Sequence, residues 1–220
     1  MKNETFDDIA PLLEREGIAL SAAQVAALQR FVALLARWNR RINLTGARGR
    51  LYSRHLLDCL MLEKLPWPEG AREAIDIGSG AGLPGVTLAL LHPGCRVTSV
   101  DSAAKKISFQ QVVAAELDLR NFFPTRGDVA RLAGMEEGRE RFQLAVARAF
   151  APLQGLLPVA APLLAPGGVL WAMKGRRLAE EQAVLTPGAL AAFEPEARLH
   201  RYDFPEAKLG GVVAVYRKKR

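Results

Sequence analysis

Residues 76–85 read Asp76-Ile77-Gly78-Ser79-Gly80-Ala81-Gly82-Leu83-Pro84-Gly85, and this stretch decides the fold. It follows a short β-rich run, Ala74 to Ile77, and opens a predicted helix, which is the setting a nucleotide-binding turn requires. Its glycines let the chain bend sharply and let a ligand approach the backbone without Cβ atoms in the way. The next predicted strand, Arg96 to Val100, leads into Asp101, 21 residues after Gly80. A carboxylate at that strand's tip can accept both ribose hydroxyls of an adenosine moiety.

Downstream, strand and helix patterns alternate. Ala103 to Leu117 predicts a helix with Phe109, Val112, Val113 and Leu117 inward. Phe142 to Ala147 and Val169 to Met173 predict strands on either side of a proline-broken helix, Ala151 to Leu164. This alternation implies a parallel sheet with helices on both faces. The end of the chain differs: Arg198 to Phe204 and Val212 to Lys218, joined by a glycine-containing loop, predict an antiparallel hairpin.

Upstream, Ser21 and Gln24 form a capping-box pattern, and Val25, Leu28, Val32 and Leu35 repeat at helical spacing with Phe31 and Leu34 beside them. An amphipathic helix of about five turns follows from that period. A second helix is expected over Ser53 to Lys64, and Leu65-Pro66-Trp67-Pro68-Glu69-Gly70 marks a boundary. The chain thus divides into a helical cap, 1–69, and an α/β unit, 70–220.

The 220 residues, half of them hydrophobic, suffice for one full core with an appendage. No apolar run approaches the ~18 residues that span a bilayer, and the first residues carry acids where a signal peptide needs basic then apolar ones, so the expected location is cytoplasmic. Cys59 and Cys95 lack metal-site spacing and read as buried thiols, and no metal is expected. The net charge of +7 is moderate, but its distribution is uneven. No acid lies between Glu16 and Asp58, whereas Arg30, Arg37, Arg40, Arg41, Arg48, Arg50 and Arg54 all do. Lys174, Arg176 and Arg177 form a second basic cluster and Arg217 to Arg220 a third; such blocks suit a polyanion.

The glycine loop has three readings. Gly80, Gly82 and Gly85 satisfy G-x-G-x-x-G, the pattern of a nicotinamide-dinucleotide site, and a purely structural turn is also open. S-adenosylmethionine is favoured by Asp76, which a pyrophosphate would repel and a cationic ligand would not. Pro84 also removes a donor from the helix opening, weakening an anion site.

The strand after the cofactor half ends in Arg148-Ala149-Phe150-Ala151-Pro152. The Asn/Asp-Pro-Pro-aromatic loop used on exocyclic amines is absent there, and no cysteine stands near to activate a pyrimidine carbon. A ring nitrogen such as guanine N7 already presents a lone pair and loses no proton, so positioning alone can drive its methylation. Arg148 is the first candidate for a side chain that positions base or cofactor, with a structural ion pair as the alternative. His55 and Asp58 are three apart on one predicted helix face, as either a base dyad or a tie between cap and sheet. Trp38 and Tyr52 stand among the arginines, where they could stack on bases, and Trp38 equally suits the core.

These stretches resemble the bacterial 16S ribosomal RNA (guanine-N7) methyltransferases, the glucose-inhibited division protein B family, from about residue 31 to 217. The resemblance rests on residues 38–45 (WNRRINLT), 54–60 (RHLLDCL), 76–85 (DIGSGAGLPG), 100–109 (VDSAAKKISF), 147–153 (ARAFAPL) and 173–175 (MKG). It implies a Rossmann-like class I methyltransferase fold, a seven-stranded sheet with only the last strand antiparallel. It also implies S-adenosylmethionine as cofactor, no metal, and a monomer acting on 16S ribosomal RNA or the 30S particle at guanine 527. Carried over by position, the cofactor side comprises Gly78, Gly80, Leu83, Ser102, Ala103, Ala104, Val129 and Ala130, and Asp76, Asp101, Asp128 and Arg148 join it on their own chemistry and position. On the RNA side, the basic blocks offer Arg40, Arg41, Arg54, Lys174 and Arg176. Family members often carry Glu at Ala130 and Phe at Leu83, and Ser is common at Cys59. With Ala130 in place of Glu, the adenine amino group must be met by Asp128 or by a backbone group.

Overall fold

The computed structural model describes residues 4–45 and 50–220. Seven strands form one sheet: β1 (Glu73–Ile77), β2 (Arg96–Asp101), β3 (Phe122–Arg126), β4 (Phe142–Arg148), β5 (Leu164–Lys174), β6 (Arg198–Phe204) and β7 (Leu209–Arg217), in the spatial order β3-β2-β1-β4-β5-β7-β6. Strands β1 to β5 pair in parallel, and β7 inserts antiparallel between β5 and β6. Strand β6 therefore runs with the first five, so the seventh strand alone is reversed, as expected. From β1 the chain winds outward to β3 and then returns to β4 on β1's other side. This reversal opens a crevice at the carboxyl ends of β1 and β4, where such sheets bind ligands.

The helices are α1 (Ala10–Arg15), α2 (Ala22–Ile42), α3 (Leu57–Leu60), α4 (Gly85–Leu91), α5 (Ala104–Glu116), α6 (Val129–Ala133), α7 (Leu153–Ala160), α8 (Leu178–Ala183) and α9 (Pro187–Leu190). Ser21 Oγ accepts from the Gln24 N–H and Gln24 Oε1 accepts from the Ser21 N–H, so the capping box opens α2; losing such a cap costs about 1 kcal/mol. Asn43, left-handed at φ +46°, ends α2.

Strand periodicity separates two apolar layers. Ala74, Leu144, Val146, Trp171 and Met173 join one cluster with Leu28, Phe31, Leu35, Leu57 and Phe109 from the amino-terminal helices and α5. Ile75, Ala145, Ala147, Leu170 and Ala172 join the other, with α6 to α9. The described residues before β1, 4–45 and 50–69, thus share the first core with the sheet rather than enclosing one of their own. Each fully buried Leu or Phe from α2 contributes roughly 1.5–3 kcal/mol to that attachment. Trp38 belongs to it as well, half-buried with its ring 5.6 Å from that of Phe109.

Three differences from the sequence reading have local causes. Strand β3 contains Pro124, which an edge strand tolerates because its outer N–H needs no partner. Strand β5 begins at Leu164 rather than Val169, since a register shift opposite Phe142 and Leu144 accommodates Pro166 and Gly167. The helix expected over 53–64 is a π turn (Tyr52–Leu56), then α3, then a 3₁₀ turn (Met61–Lys64). Glu4 accepts the Tyr52 and Ser53 N–H groups, each at 3.1 Å, and so fixes its irregular start.

Candidate active site

The glycine loop bends over the carboxyl end of β1 and is clasped from below. Ser79 N–H donates to the Val100 carbonyl at 3.0 Å, tying the loop to β2. Gly78 and Gly80 both lie in the left-handed region, at φ +66° and +59°. A Cβ on Gly78 would overlap the Phe150 ring, whereas one on Gly80 would meet nothing within 4 Å. Gly80 therefore borders open space, and Phe150, 40% exposed, closes one side of the loop. Ala149, before it, is also left-handed, at φ +54°, and aims the ring there.

Asp101 is almost fully buried and holds the loop from β2. Its Oδ2 accepts from Gly80 N–H at 2.9 Å and from Lys106 Nζ at 3.1 Å, and its Oδ1 accepts from Ala103 N–H at 2.9 Å. The carboxylate expected to face a ribose is thus first the brace between the loop and the start of α5. Gln110, fully buried on α5, completes that brace: its Nε2 donates to Ser79 Oγ at 2.8 Å and to the Gly80 carbonyl at 2.9 Å, while its Oε1 accepts from Ser99 Oγ at 2.7 Å. In the sequence, Gln110 is signalled only by its being a polar residue beside Phe109 on an inward stripe.

Asp76 lies beneath the loop with no exposed surface. Its Oδ2 accepts from Gly85 N–H at 2.8 Å, and its Oδ1 has no partner among the described residues. Burial is the main influence and pushes the carboxyl up to about 7, against the opposing pull of the Gly85 N–H and Arg148. The folded protein therefore keeps a proton that the unfolded chain releases between pH 3.8 and about 7. Its stabilising contribution is complete at the acid end of that window and is lost as the pH rises through it. Asp76→Asn should remove about 2–3 kcal/mol of the stability difference between pH 5 and pH 8, read from urea unfolding. An unchanged difference would mean that Asp76 is ionised in the fold.

At the end of β4, Arg148 keeps the phase of Leu144 and Val146 and so points to the face that carries the amino-terminal helices. Its Nη1 lies 3.3 Å from Asp58 Oδ2 and 3.5 Å from the His55 carbonyl, and Asp58 also accepts from the Tyr202 hydroxyl. The residues read as one His55–Asp58 unit make separate contacts: His55 Nε2 lies 2.5 Å from Thr45 Oγ1. Burial, then Arg148 and Arg54, lower the His55 imidazole to about 4. Cys59, next to Asp58, is a buried thiol pushed up to about 12, and Cys95 is buried too.

The other expected site residues divide. Ser102, Ala104 and Ala130 are exposed and Ala103 half-buried beside the loop, whereas Leu83 and Val129 are core residues at 3% and 4% exposure. Asp128 caps α6, its Oδ1 accepting from Ala130 N–H at 2.8 Å. Arg40, Arg41, Arg54 and Arg176 are exposed without an ion pair among the described residues. Lys174 differs from the sequence expectation of a phosphate contact: its ammonium donates to Glu181 Oε2 at 2.8 Å and the Ala151 carbonyl at 2.7 Å, which fastens β5 to α8. Arg30 and Arg50 are likewise engaged, with the Glu116 carbonyl and with Glu4 and the Ala207 carbonyl, and Arg48 lies outside the described residues. The carboxyl-terminal basic run sits at the opposite end of the sheet, where Lys218 pairs with Glu140.

The fold is shared with solved methyltransferases. The O-methyltransferase from Bacillus cereus in complex with SAH superposes with a TM-score of 0.62 at 17% identity, over 97% of this chain and 100% of that one. A predicted O-methyltransferase, Atu636 from Agrobacterium tumefaciens, gives 0.61 at 17% identity over 74% and 81%. Fold and crevice together define a Rossmann-like, doubly wound α/β protein with its site at the carboxyl ends of β1 and β4. Residues 24–194 match the family described as rRNA small subunit methyltransferase G. The ribosomal RNA small subunit methyltransferase G proteins of Burkholderia pseudomallei and Burkholderia mallei are each 45% identical over 176 residues, 79% of this chain and 76% of theirs. The chain belongs to the rRNA small subunit methyltransferase G family. The dinucleotide reading of the glycine loop is thereby set aside.

Proposed function

We propose that the protein methylates N7 of a guanine in 16S ribosomal RNA, guanine 527 as the family resemblance implies, in the cytoplasm and as a monomer. The observation that carries the reading is the state of the groups around Arg148. Asp58 is tied to Arg148 and Tyr202, the imidazole of His55 is held far below its ordinary range, and Asp76 is sealed from solvent. Among the described residues, no group at the end of β4 is poised to take a proton from a substrate. An exocyclic amine or a ring carbon would need one, and N7 does not.

S-adenosylmethionine supplies, when bound, a methyl group on a positively charged sulfur. The chain's residues suit it: open space borders Gly80, and the buried Asp76 Oδ1 under the loop is a polar atom with no partner among the described residues. Gly78 and Gly80 would hold the methionine side, with Asp76 bracing the loop from beneath. Asp101, Ser102, Ala103 and Ala104 border the ribose, and Asp128, Val129 and Ala130 the adenine. With Asp128 Oδ1 engaged in capping α6, a backbone group near Ala130 is the better partner for the adenine amino group. Leu83 acts from the core, as a support of the loop.

Arg148 positions the base from the carboxyl end of β4, with Asp58 and Tyr202 fixing its guanidinium. Phe150 gives the incoming ring an apolar wall and excludes water from the lone pair that reacts. Arg40, Arg41, Arg54 and Arg176 supply the charges for RNA phosphates, in keeping with the cap as an RNA-contacting segment.

The test is to incubate the protein and S-adenosylmethionine with 30S particles lacking the modification, then cleave the RNA with borohydride and aniline, which act on N7-methylated guanine. One new cleavage, at guanine 527, is expected. Methyl incorporation without cleavage would contradict N7 as the acceptor.

A further inference from the structure

Beside the crevice, the end of β5 and the β6–β7 hairpin enclose a groove of about 820 Å³, lined by Arg176, Arg201, Tyr202, Asp203 and Lys208 with Gly211. Its charge balance is three cations to one acid. Elsewhere many cations are spent: Arg15 on Glu206, Lys106 on Asp101, Lys174 on Glu181, Lys218 on Glu140. Arg176, Arg201 and Lys208 have neither an ion pair nor a side-chain hydrogen bond among the described residues, and all three are exposed.

The groove lies on the same edge of the sheet as the crevice, at the carboxyl end of β5. Tyr202 lines it and donates its hydroxyl to Asp58, the partner of Arg148. Gly211 makes that geometry possible, because a Cβ there would overlap the Tyr202 phenol. Lys208 stands at the hairpin turn with φ +48°, braced by its N–H to the Pro205 carbonyl. The wall is therefore a built surface with its cations held on a strand and a tight turn.

We propose that this groove carries the sugar–phosphate backbone of the RNA strand flanking the target guanine, with Arg201 and Lys208 each neutralising a phosphate. The inference rests on the ribosomal-RNA reading above and extends it to the path of the strand. A base presented to Arg148 brings its neighbouring phosphates with it, and this cationic groove is joined to that point through Tyr202 and Asp58. It is far larger than a single phosphate needs, and its charges lie on two elements, as a chain of phosphates requires.

The test compares the full-length protein with the double variant Arg201→Gln/Lys208→Asn and the single variant Arg201→Gln. Asparagine tolerates the left-handed position, and Arg201 lies on an exposed edge strand. Arg139→Gln, exposed at the opposite end of the sheet, is the control. The probe is the unmethylated 30S particle, titrated across salt concentrations, with S-adenosylhomocysteine calorimetry reporting the integrity of the crevice.

The double variant should bind the particle roughly tenfold or more weakly, and its log–log salt slope should flatten by about 1.4, the value for two single-strand phosphates. The single variant should show about half that slope change, and the control none, with cofactor affinity the same throughout. Unchanged particle affinity and slope in the double variant, while the parent still methylates the particle, would overturn the groove and leave the function standing. A parent that methylates no ribosomal particle would take down both.

Discussion

Arg148→Ala should lower methyl transfer to the 30S particle by about 100- to 1000-fold, as expected when a preorganised positioning group is removed. It should also destabilise the fold by about 3–5 kcal/mol, because Asp58 would be left as a largely buried charge with no cationic partner. Those two effects have different origins, and a second variant separates them. Arg148→Met/Asp58→Asn removes both charges together and leaves Tyr202 an acceptor. Most of the lost stability should return in urea unfolding, while transfer stays low. If transfer returned with stability, Arg148 would be only a strut between β4 and the amino-terminal helices.

The same pair shows where sequence reading reaches its limit. Arg148 was legible as a strand-end residue, and Asp58 as a residue on a helix face next to His55. Their contact spans 90 residues and depends on the helical segment packing on the face to which Leu144, Val146 and Arg148 all point. Only the assignment of helices to faces reveals it. The glycine loop, by contrast, is a local device whose turn chemistry is written in consecutive residues, and strand alternation makes the doubly wound sheet legible from periodicity. Lys174 illustrates the opposite difficulty. A lysine in a basic cluster reads as a phosphate contact, yet Glu181, on a helix whose docking the sequence did not disclose, takes its charge. Tyr202, Lys208 and Arg201 carry no signal of their own, because an edge hairpin looks the same in sequence whether its cations face bulk water or a groove.

Two glycine substitutions in one loop should part company for steric reasons alone. Gly80→Ala places a methyl group in open space, so its effect on stability should be confined to left-handed strain of about 1–2 kcal/mol. Gly78→Ala carries the same strain and also drives the new methyl into Phe150. With 40% of its surface exposed, that ring can swing outward, and the wall of the crevice moves with it. S-adenosylhomocysteine affinity of Gly78→Ala should fall by about 100-fold, or ~2.7 kcal/mol, in calorimetry. Adding Phe150→Ala should recover most of the loss if the displaced ring is its cause. A double variant as weak as the single would place the damage in the backbone of the loop itself, and Phe150 would then be no part of the cofactor's wall. Gly80→Ala supplies the complementary measurement: an affinity loss there without a further stability loss reports that the ligand fills the space beside Gly80.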